Sequence, residues 1–213
     1  ASGSVGPVAL MNWASLGGVF PAEVPIELQA SRLSAVLLAA INAVALGVLL
    51  PGTFRRPTES AWFAPLASLQ LFATGMLILS PNLLAFLLFW ELIGVAGYLL
   101  GAAESDATGK AESTRRVALV WLMADVALAL GVFLIWLALG TLDSAVMFGE
   151  GERLADVLER NPALITVICF CLLAAAAGRC AQFPLLGWLN ESTGARSDIL
   201  LQSATLMPAG VYL

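Results

Sequence analysis

The chain has 213 residues, of which 60% are hydrophobic and only 12% are charged, and its mean hydropathy is +0.90. A soluble domain has about twice that charged fraction, so the composition excludes an ordinary soluble protein and predicts an integral membrane protein. The net charge of −5 argues against a nucleic-acid partner. The absence of histidine removes the most common metal ligand and the most common proton carrier near neutral pH.

Residues 1–31 are mixed in character and are interpreted as an extramembrane or interfacial segment, ahead of a transmembrane bundle over 32–213. A hydrocarbon core about 30 Å thick needs about 20 apolar residues per helix. Six apolar blocks of about that length are predicted to form an all-α bundle: 33–50 (closed by Pro51-Gly52), 61–80, 81–102, 116–139, 162–178 and one from near Asp198 onward.

The loops of this bundle differ in charge. Loops 51–60, 103–115 and 179–197 hold most of the Lys and Arg residues, which predicts that they are cytoplasmic. The acidic loop 140–161 is then external, and its segment EGERLADVLER (150–160) is predicted to form a short surface helix. Because the chain lacks an initial methionine and ends inside an apolar run, we expect it to be part of a longer protein.

A single carboxylate lies near the middle of the third block, in NLLAFLLFWELIGVAGYLL (82–100). An ionised side chain at a helix centre costs roughly 2.5–3.5 kcal/mol on insertion scales, so Glu91 is expected to be paired, hydrated or neutral. Gly94, Gly97 and Gly101 lie on its flank, where small residues permit close helix approach. Glu91 is therefore predicted to face neighbouring helices, either exchanging protons or pairing with a cation, or else as a polar packing contact.

Two further ionisable residues fall in apolar blocks, Asp125 in the fourth and Arg179 at the end of the fifth. Asp125 has no basic residue three or four positions away, and its surroundings suit a functional role and a packing role equally. Arg179 lies five residues before Pro184, and a proline in an apolar run breaks the helix. A membrane tolerates such a break only against protein or water. Arg179 is thus interpreted as lying inside the bundle, beside a broken helix; the alternative is that it extends to the headgroups.

The sixth block carries a polar stripe at helical spacing, formed by Asp198, Gln202 and Thr205. The stripe is either part of a hydrated path or a set of interhelical hydrogen bonds. The three cysteines are interpreted as small hydrophobic residues, and no metal or cofactor site is predicted. A carboxylate, a cation, a broken helix and a polar stripe at mid-depth suit ion movement better than catalysis, because a carboxylate binds a proton more readily when its cation moves away.

Several motifs, taken in their order and spacing, resemble the antiporter-like L subunit of NADH–quinone oxidoreductase (respiratory complex I), whose relatives include subunits of sodium/proton antiporters. The resemblance covers about residues 28–213. The motifs are AFLLFWELIGVAGYLLG (85–101), GRCAQFPLLGWLN (178–190) and QSATLMPAGVYL (202–213), with shorter ones at 32–34, 124–125 and 139–142.

The resemblance implies a partial antiporter-like bundle holding the first of two inverted repeats. It places Glu91 at the family's membrane glutamate, Arg179 at the lysine of the broken helix and Gln202 at the histidine of the next helix. In that family the glutamate–lysine pair opens in step with proton transfer, while electrons travel elsewhere. The implied protein is a proton-translocating subunit with no cofactor or electron-transfer site of its own. Its implied partners are the lipid bilayer, other membrane-arm subunits and protons, in a bacterial inner membrane.

Two departures from the family's pattern leave other functions open. Arginine does not deprotonate in proteins, so Arg179 cannot pass on a proton, and Gln202 has none to titrate. Glu91 and Asp125 are the proton carriers that remain unaltered. The sequence is therefore also compatible with a non-conducting structural subunit, or with a subunit of a cation/proton antiporter or of an ion-coupled inorganic-carbon transporter.

Overall fold

A computed structural model of the chain describes residues 8–13, 24–55, 62–108, 111–149, 157, 159–180 and 209. Within these residues a two-stranded hairpin precedes a bundle of helices. The elements are β1 (Val8–Trp13), β2 (Val24–Leu28), α1 (Arg32–Arg55), α2 (Phe63–Leu79), α3 (Leu83–Thr108), α4 (Ala111–Leu139), α5 (Ser144–Gly149) and α6 (Pro162–Arg179).

The hairpin is the main departure from the all-helical prediction. Strands β1 and β2 are antiparallel, with Val8 opposite Leu28 and Trp13 opposite Val24, and a bulge interrupts the register between Ala9 and Met11. Both strands lie at the edge of a two-stranded sheet, where Pro25 is tolerated because an edge strand can lack one backbone donor. The sequence suggested an extramembrane segment here but no strands.

Three of the described helices are long and apolar enough to cross a membrane, over Leu83–Ala102, Arg115–Leu139 and Pro162–Arg179. Two shorter apolar helices cover Arg32–Gly47 and Phe63–Leu79. These five match the first five predicted blocks to within a few residues. Large apolar side chains such as Met123, Phe170 and Leu173 point outward, as expected for helices that are apolar on all sides.

Two predicted boundaries differ from the structure. Helix α1 continues through Pro51 to Arg55, because proline removes one backbone hydrogen bond but keeps a helical φ angle. Helix α3 begins at Leu83, two residues after the predicted start at Pro81. The side-chain oxygen of Asn82 caps the helix by accepting a hydrogen bond from the Leu84 N–H at 2.8 Å. The sixth block and the break at Pro184 lie outside the described residues, as does most of 150–160.

One end of the bundle is held by backbone hydrogen bonds between two corners. The Leu83 N–H donates to the Leu142 carbonyl at 2.9 Å, and the Ser144 N–H donates to the Pro81 carbonyl at 3.0 Å. Gly140 ends α4 with a φ of 70°, a conformation that glycine adopts without a steric penalty. These contacts join the start of α3 to the segment that follows the end of α4.

The helices pack in the order α1, α2, α3, α4, α6, each against the next, and α1 makes the sparsest contact. Helices α4 and α6 are antiparallel, since Gly131 faces Leu172 and the earlier Asp125 faces the later Arg179. Glycines let the helices approach closely, as predicted for α3: Gly97 lies directly against the Trp121 ring of α4. The close fit of α3, α4 and α6 creates the buried site described next.

Candidate functional site

Arg179 is the most deeply buried charged residue among those described, with 1% of its side chain exposed. It belongs to the last turn of α6, where the helix carbonyls carry partial negative charge that favours a cation. Its partners lie in the middle of the apolar stretch of α4. Arg179 is therefore buried inside the bundle.

The direct partner of Arg179 is Asp125. The Arg179 Nη2 group donates a hydrogen bond to Asp125 Oδ1 at 2.5 Å and a weaker one to the Trp90 carbonyl at 3.3 Å. The Trp90 indole N–H donates to the same Asp125 oxygen at 2.7 Å. One carboxylate oxygen thus joins α3, α4 and α6, and charge-assisted bonds of this kind are the stronger ones in proteins.

Two indole rings complete the surroundings of the guanidinium. Its central carbon lies 4.9 Å from the centre of the Trp90 ring and 5.7 Å from that of Trp121, and both distances fall within the range of cation–π attraction. Gly94 of α3 offers only backbone on the remaining side, close against the two Nη atoms. The cation is therefore held by one carboxylate, two aromatic rings and a glycine.

Glu91 lies beside this ion pair, half-buried on α3. Its carboxylate interacts electrostatically with both Asp125 and Arg179, but among the described residues no hydrogen bond or ion pair joins it to either. Arg179, which the resemblance pairs with Glu91, instead forms its direct ion pair with Asp125. Glu91 is placed as a third charge next to a closed pair.

Two donors of the buried guanidinium have no acceptor within the part of the chain that the structure describes. Arg179 Nε and Nη1 are inaccessible and have no hydrogen-bond partner among the described residues. Leaving such donors unpaired is unfavourable, so a water molecule or a carboxylate that approaches them gains two strong hydrogen bonds.

Comparison with known proteins assigns a family to this bundle. A sequence model described as "NADH:quinone oxidoreductase/Mrp antiporter, TM" matches residues 80–213, which include Glu91, Asp125 and Arg179. The chain belongs to this family. With its apolar helices, the match identifies an integral membrane protein of the antiporter-like type found in complex I.

Relatives of this antiporter-like protein carry consistent names. The chain is 31% identical over 217 residues to NAD(P)H-quinone oxidoreductase chain 5 of Synechocystis sp., and 28% identical over 208 residues to the chloroplastic subunit 5 of Zygnema circumcarinatum. Each alignment covers 96% of this chain but only 30% and 29% of the relative. The chain therefore spans about a third of the length of these relatives.

A solved structure shares the fold of this antiporter-like protein. It is the membrane-bound sulfane sulfur reductase, an archaeal respiratory membrane complex, one chain of which matches with a TM-score of 0.78 at 17% identity. The match covers 97% of this chain and 31% of that one. At this identity the likeness shows the fold alone.

The structure brings together three of the six predicted site residues of this antiporter-like protein, namely Glu91, Asp125 and Arg179. Asp198, Gln202 and Thr205 lie outside the described residues. No group of three or more potential metal ligands occurs in the described part of the chain. The three cysteines, all of which lie in that part, form no disulfide there.

Residues that the sequence did not single out also belong to the site. Trp90 and Trp121 form its walls. On α2, Gln70 and Thr74 are fully buried, with the Thr74 hydroxyl donating to the Gln70 carbonyl at 2.8 Å. The Gln70 amide lies close to Gly97 and so extends the polar surroundings from the ion pair towards α2.

One signal for the Asp125–Arg179 pair is present in the sequence. Asp125 lies 14 residues before the end of α4, and Arg179 lies 17 residues after the start of α6. At 1.5 Å per residue these are about 21 and about 26 Å from the same end of an antiparallel pair. Counting from the shared loop therefore places the two charges at similar depth.

Proposed function

We propose that this protein is a proton-translocating membrane-arm subunit, of the L type, in an NADH–quinone oxidoreductase-like complex of a bacterial inner membrane. The observation that supports it most is the ionisable cluster of Glu91, Asp125 and Arg179 in the middle of a membrane bundle. Intramembrane ionisable residues usually face the bundle interior and serve ion pathways. The names of the relatives supply the remaining support.

The charges of the cluster suggest how a proton is held. Arg179 contributes one positive charge and Asp125 one negative charge, and the two lie in direct contact. An ionised Glu91 adds a negative charge that this pair does not balance. A proton on Glu91 makes the cluster neutral, and neutral groups are better tolerated away from water. In this mechanism Glu91 carries the proton, while Arg179 remains charged.

The path continues beyond the described residues in this proposal. Gln202, Asp198 and Thr205 line it on the following helix, with Gln202 passing hydrogen bonds through water because it cannot titrate. The partners are the lipid bilayer and the other membrane-arm subunits of the complex, while electrons travel elsewhere in the complex. The chain itself requires no cofactor for this role.

Glu91→Gln, introduced into the complex assembled in liposomes, tests the proposal. Proton uptake per quinone reduced is the quantity to measure. We expect it to fall for Glu91→Gln because the amide cannot bind the proton. Glu112→Gln is the matched control, since Glu112 is a fully exposed carboxylate at the start of α4. Equal proton uptake in the two variants would refute the proposal.

A non-conducting structural subunit is the second candidate. A permanently charged guanidinium bound to Asp125 favours it, because that cation cannot pass on a proton. In that case Glu91→Gln leaves proton uptake unchanged, while Asp125→Asn impairs assembly of the complex. Since the description of the family also names the Mrp antiporter, a sodium dependence of the flux would instead indicate a cation/proton antiporter subunit.

A further inference from the structure

Arg179 lies close against helix α3 at Gly94. A Cβ atom built on Gly94 would lie 2.6 Å from Arg179 Nη2, 3.1 Å from Nη1 and 3.3 Å from Cζ. Separations below 3.0 Å do not occur for real Cβ atoms, so even a methyl group at this position must displace the guanidinium. The planar head group therefore lies against the bare backbone of α3.

Three other glycines in the described helices do not show this relation. A Cβ on Gly75 would meet only Leu38 Cδ2 at 3.7 Å, an ordinary contact, and one on Gly47 would meet nothing within 4 Å. At Gly131 the neighbours are aliphatic atoms of Leu172 and Cys171 at 3.1 Å or more. Among these positions, Gly94 is the one where a charged group fills the space that a side chain would take.

We propose that Gly94, Trp90 and Trp121 form an arginine socket, which is shaped for a guanidinium and holds it against Asp125 while Glu91 gains and loses its proton. The second half of this statement rests on the proposed function, and the first half does not. Gly94 is a positioning residue in this account, because it acts only through Arg179.

The shape of the socket distinguishes arginine from lysine. A guanidinium is a wide plane that stacks on aromatic rings and donates from several nitrogens, whereas an ammonium is a compact point charge. The two Nη atoms occupy the space that glycine leaves at position 94. An ammonium lacks these atoms, so it leaves that space empty and can accommodate a methyl group there.

The socket also explains how a cation that cannot deprotonate serves the site. Arg179 Nη2 contacts both Asp125 and the Trp90 carbonyl, and the rings of Trp90 and Trp121 flank the plane. Movement of the head group away from Asp125 would lose all of these contacts together. The Asp125–Arg179 pair therefore stays closed while the charge of Glu91 changes.

A double-mutant cycle on the assembled complex tests the socket, with Gly94→Ala, Arg179→Lys and the combination of both. The first readout is thermal stability of the complex, which does not depend on proton transfer. We expect each single variant to lower stability. The double variant should lose less stability than the sum of the losses of the two single variants. We expect this coupling to correspond to roughly a tenfold difference in the folding equilibrium constant. Gly75→Ala is the matched control and should leave stability unchanged.

Proton uptake per quinone reduced is the second readout. Gly94→Ala should lower it, because the displaced guanidinium no longer holds Asp125 in place beside Glu91, and the added Arg179→Lys should restore it in part. Restoration by the smaller cation is an effect that a purely structural glycine would not produce. If Gly94→Ala alone prevents assembly of the complex, the socket predicts that the double variant with Arg179→Lys still assembles.

Additive losses in the stability cycle, or a Gly94→Ala variant that behaves like Gly75→Ala, would overturn the socket. A coupled stability cycle together with a Glu91→Gln variant of normal proton uptake would retain the socket and refute the proposed function. The two proposals therefore fail by different results.

Discussion

Two arginine–carboxylate pairs of nearly equal length involve the same helix, α4, and lie in very different surroundings. Arg179 and Asp125 are joined at 2.5 Å, with 1% and 12% of their side chains exposed. Arg116 and Glu112 are joined at 2.6 Å, with 63% and 76% exposed. The first pair lies among two tryptophans and a glycine at the centre of the bundle, and the second lies on the surface near the helix start.

The comparison shows that a short distance between charges does not by itself indicate a strong interaction. Water and salt screen the exposed pair, and many such pairs contribute nothing measurable to stability. The buried pair has lost its water, so each charge depends on the other. Removal of one partner should therefore have very different consequences in the two places.

The largest effect is expected when Asp125 alone is removed. Asp125→Leu leaves Arg179 charged and buried without its carboxylate, and breaking a buried pair in this way costs about 3–5 kcal/mol. The free energy of unfolding of the intact protein in lipid nanodiscs measures this loss. Adding Arg179→Met should recover most of it, because two apolar residues replace both charges. Failure of the second change to recover stability would contradict the assignment of the pair.

A smaller loss is expected for Trp90→Phe. The substitution keeps an aromatic ring near Arg179 but removes the indole N–H that donates to Asp125 Oδ1 at 2.7 Å. Hydrogen bonds to charged groups contribute about 1.5–3 kcal/mol, and denaturant unfolding should show a loss in that range. Trp62→Phe, at an exposed tryptophan, is the control and should change stability much less. Equal effects at the two positions would show that the indole donor is unimportant.

The contact that sets α4 against α6 should be less sensitive still. A Cβ on Gly131 would lie 3.1 Å from Leu172 Cδ2 and 3.3 Å from Cys171 Cβ, so Gly131→Ala requires a small shift of a flexible leucine. Overpacking of this kind costs about 1 kcal/mol or slightly more. Thermal unfolding checks it, and adding Leu172→Ala should relieve the crowding. A loss as large as that of Asp125→Leu would mean that the helices cannot adjust.

The smallest effect is expected at the exposed pair. A hydrogen bond from Arg116 lowers the pKa of Glu112, so this carboxylate adds to stability above the ordinary glutamate pKa and loses its contribution as the pH falls through the lowered pKa. Full exposure reduces that contribution to near zero. Glu112→Gln should therefore unfold at the same temperature as the parent from pH 5 to 8. A clear difference within that range would overturn the contrast between the pairs.

Much of the bundle could be predicted because membrane helices are apolar along their whole length. The first five blocks agree with helices α1, α2, α3, α4 and α6, and the flank of small residues on α3 lies against other helices as expected. The strands β1 and β2 do not follow from the sequence analysis, since they alternate weakly and β2 includes Pro25. Pro51 was given too much weight as a helix terminator.

The members of the site were easier to predict than their pairing. Charges in apolar blocks are conspicuous, so Glu91, Asp125 and Arg179 were all found from the sequence. Their pairing depends on helix rotation and on the relative height of α4 and α6, which hydropathy does not report. The roles of Trp90 and Gly94 depend on interhelical distances, and a tryptophan or glycine in a membrane helix has many other uses.

Two double-mutant cycles on the intact protein test the central claim, that burial and not distance makes Asp125–Arg179 the strong pair. One cycle combines Asp125→Leu with Arg179→Met, and the other combines Glu112→Gln with Arg116→Gln, with the free energy of unfolding measured for every variant. We predict a coupling of about 2–3 kcal/mol in the first cycle and none that can be measured in the second. Independent, additive costs for Asp125→Leu and Arg179→Met would contradict it.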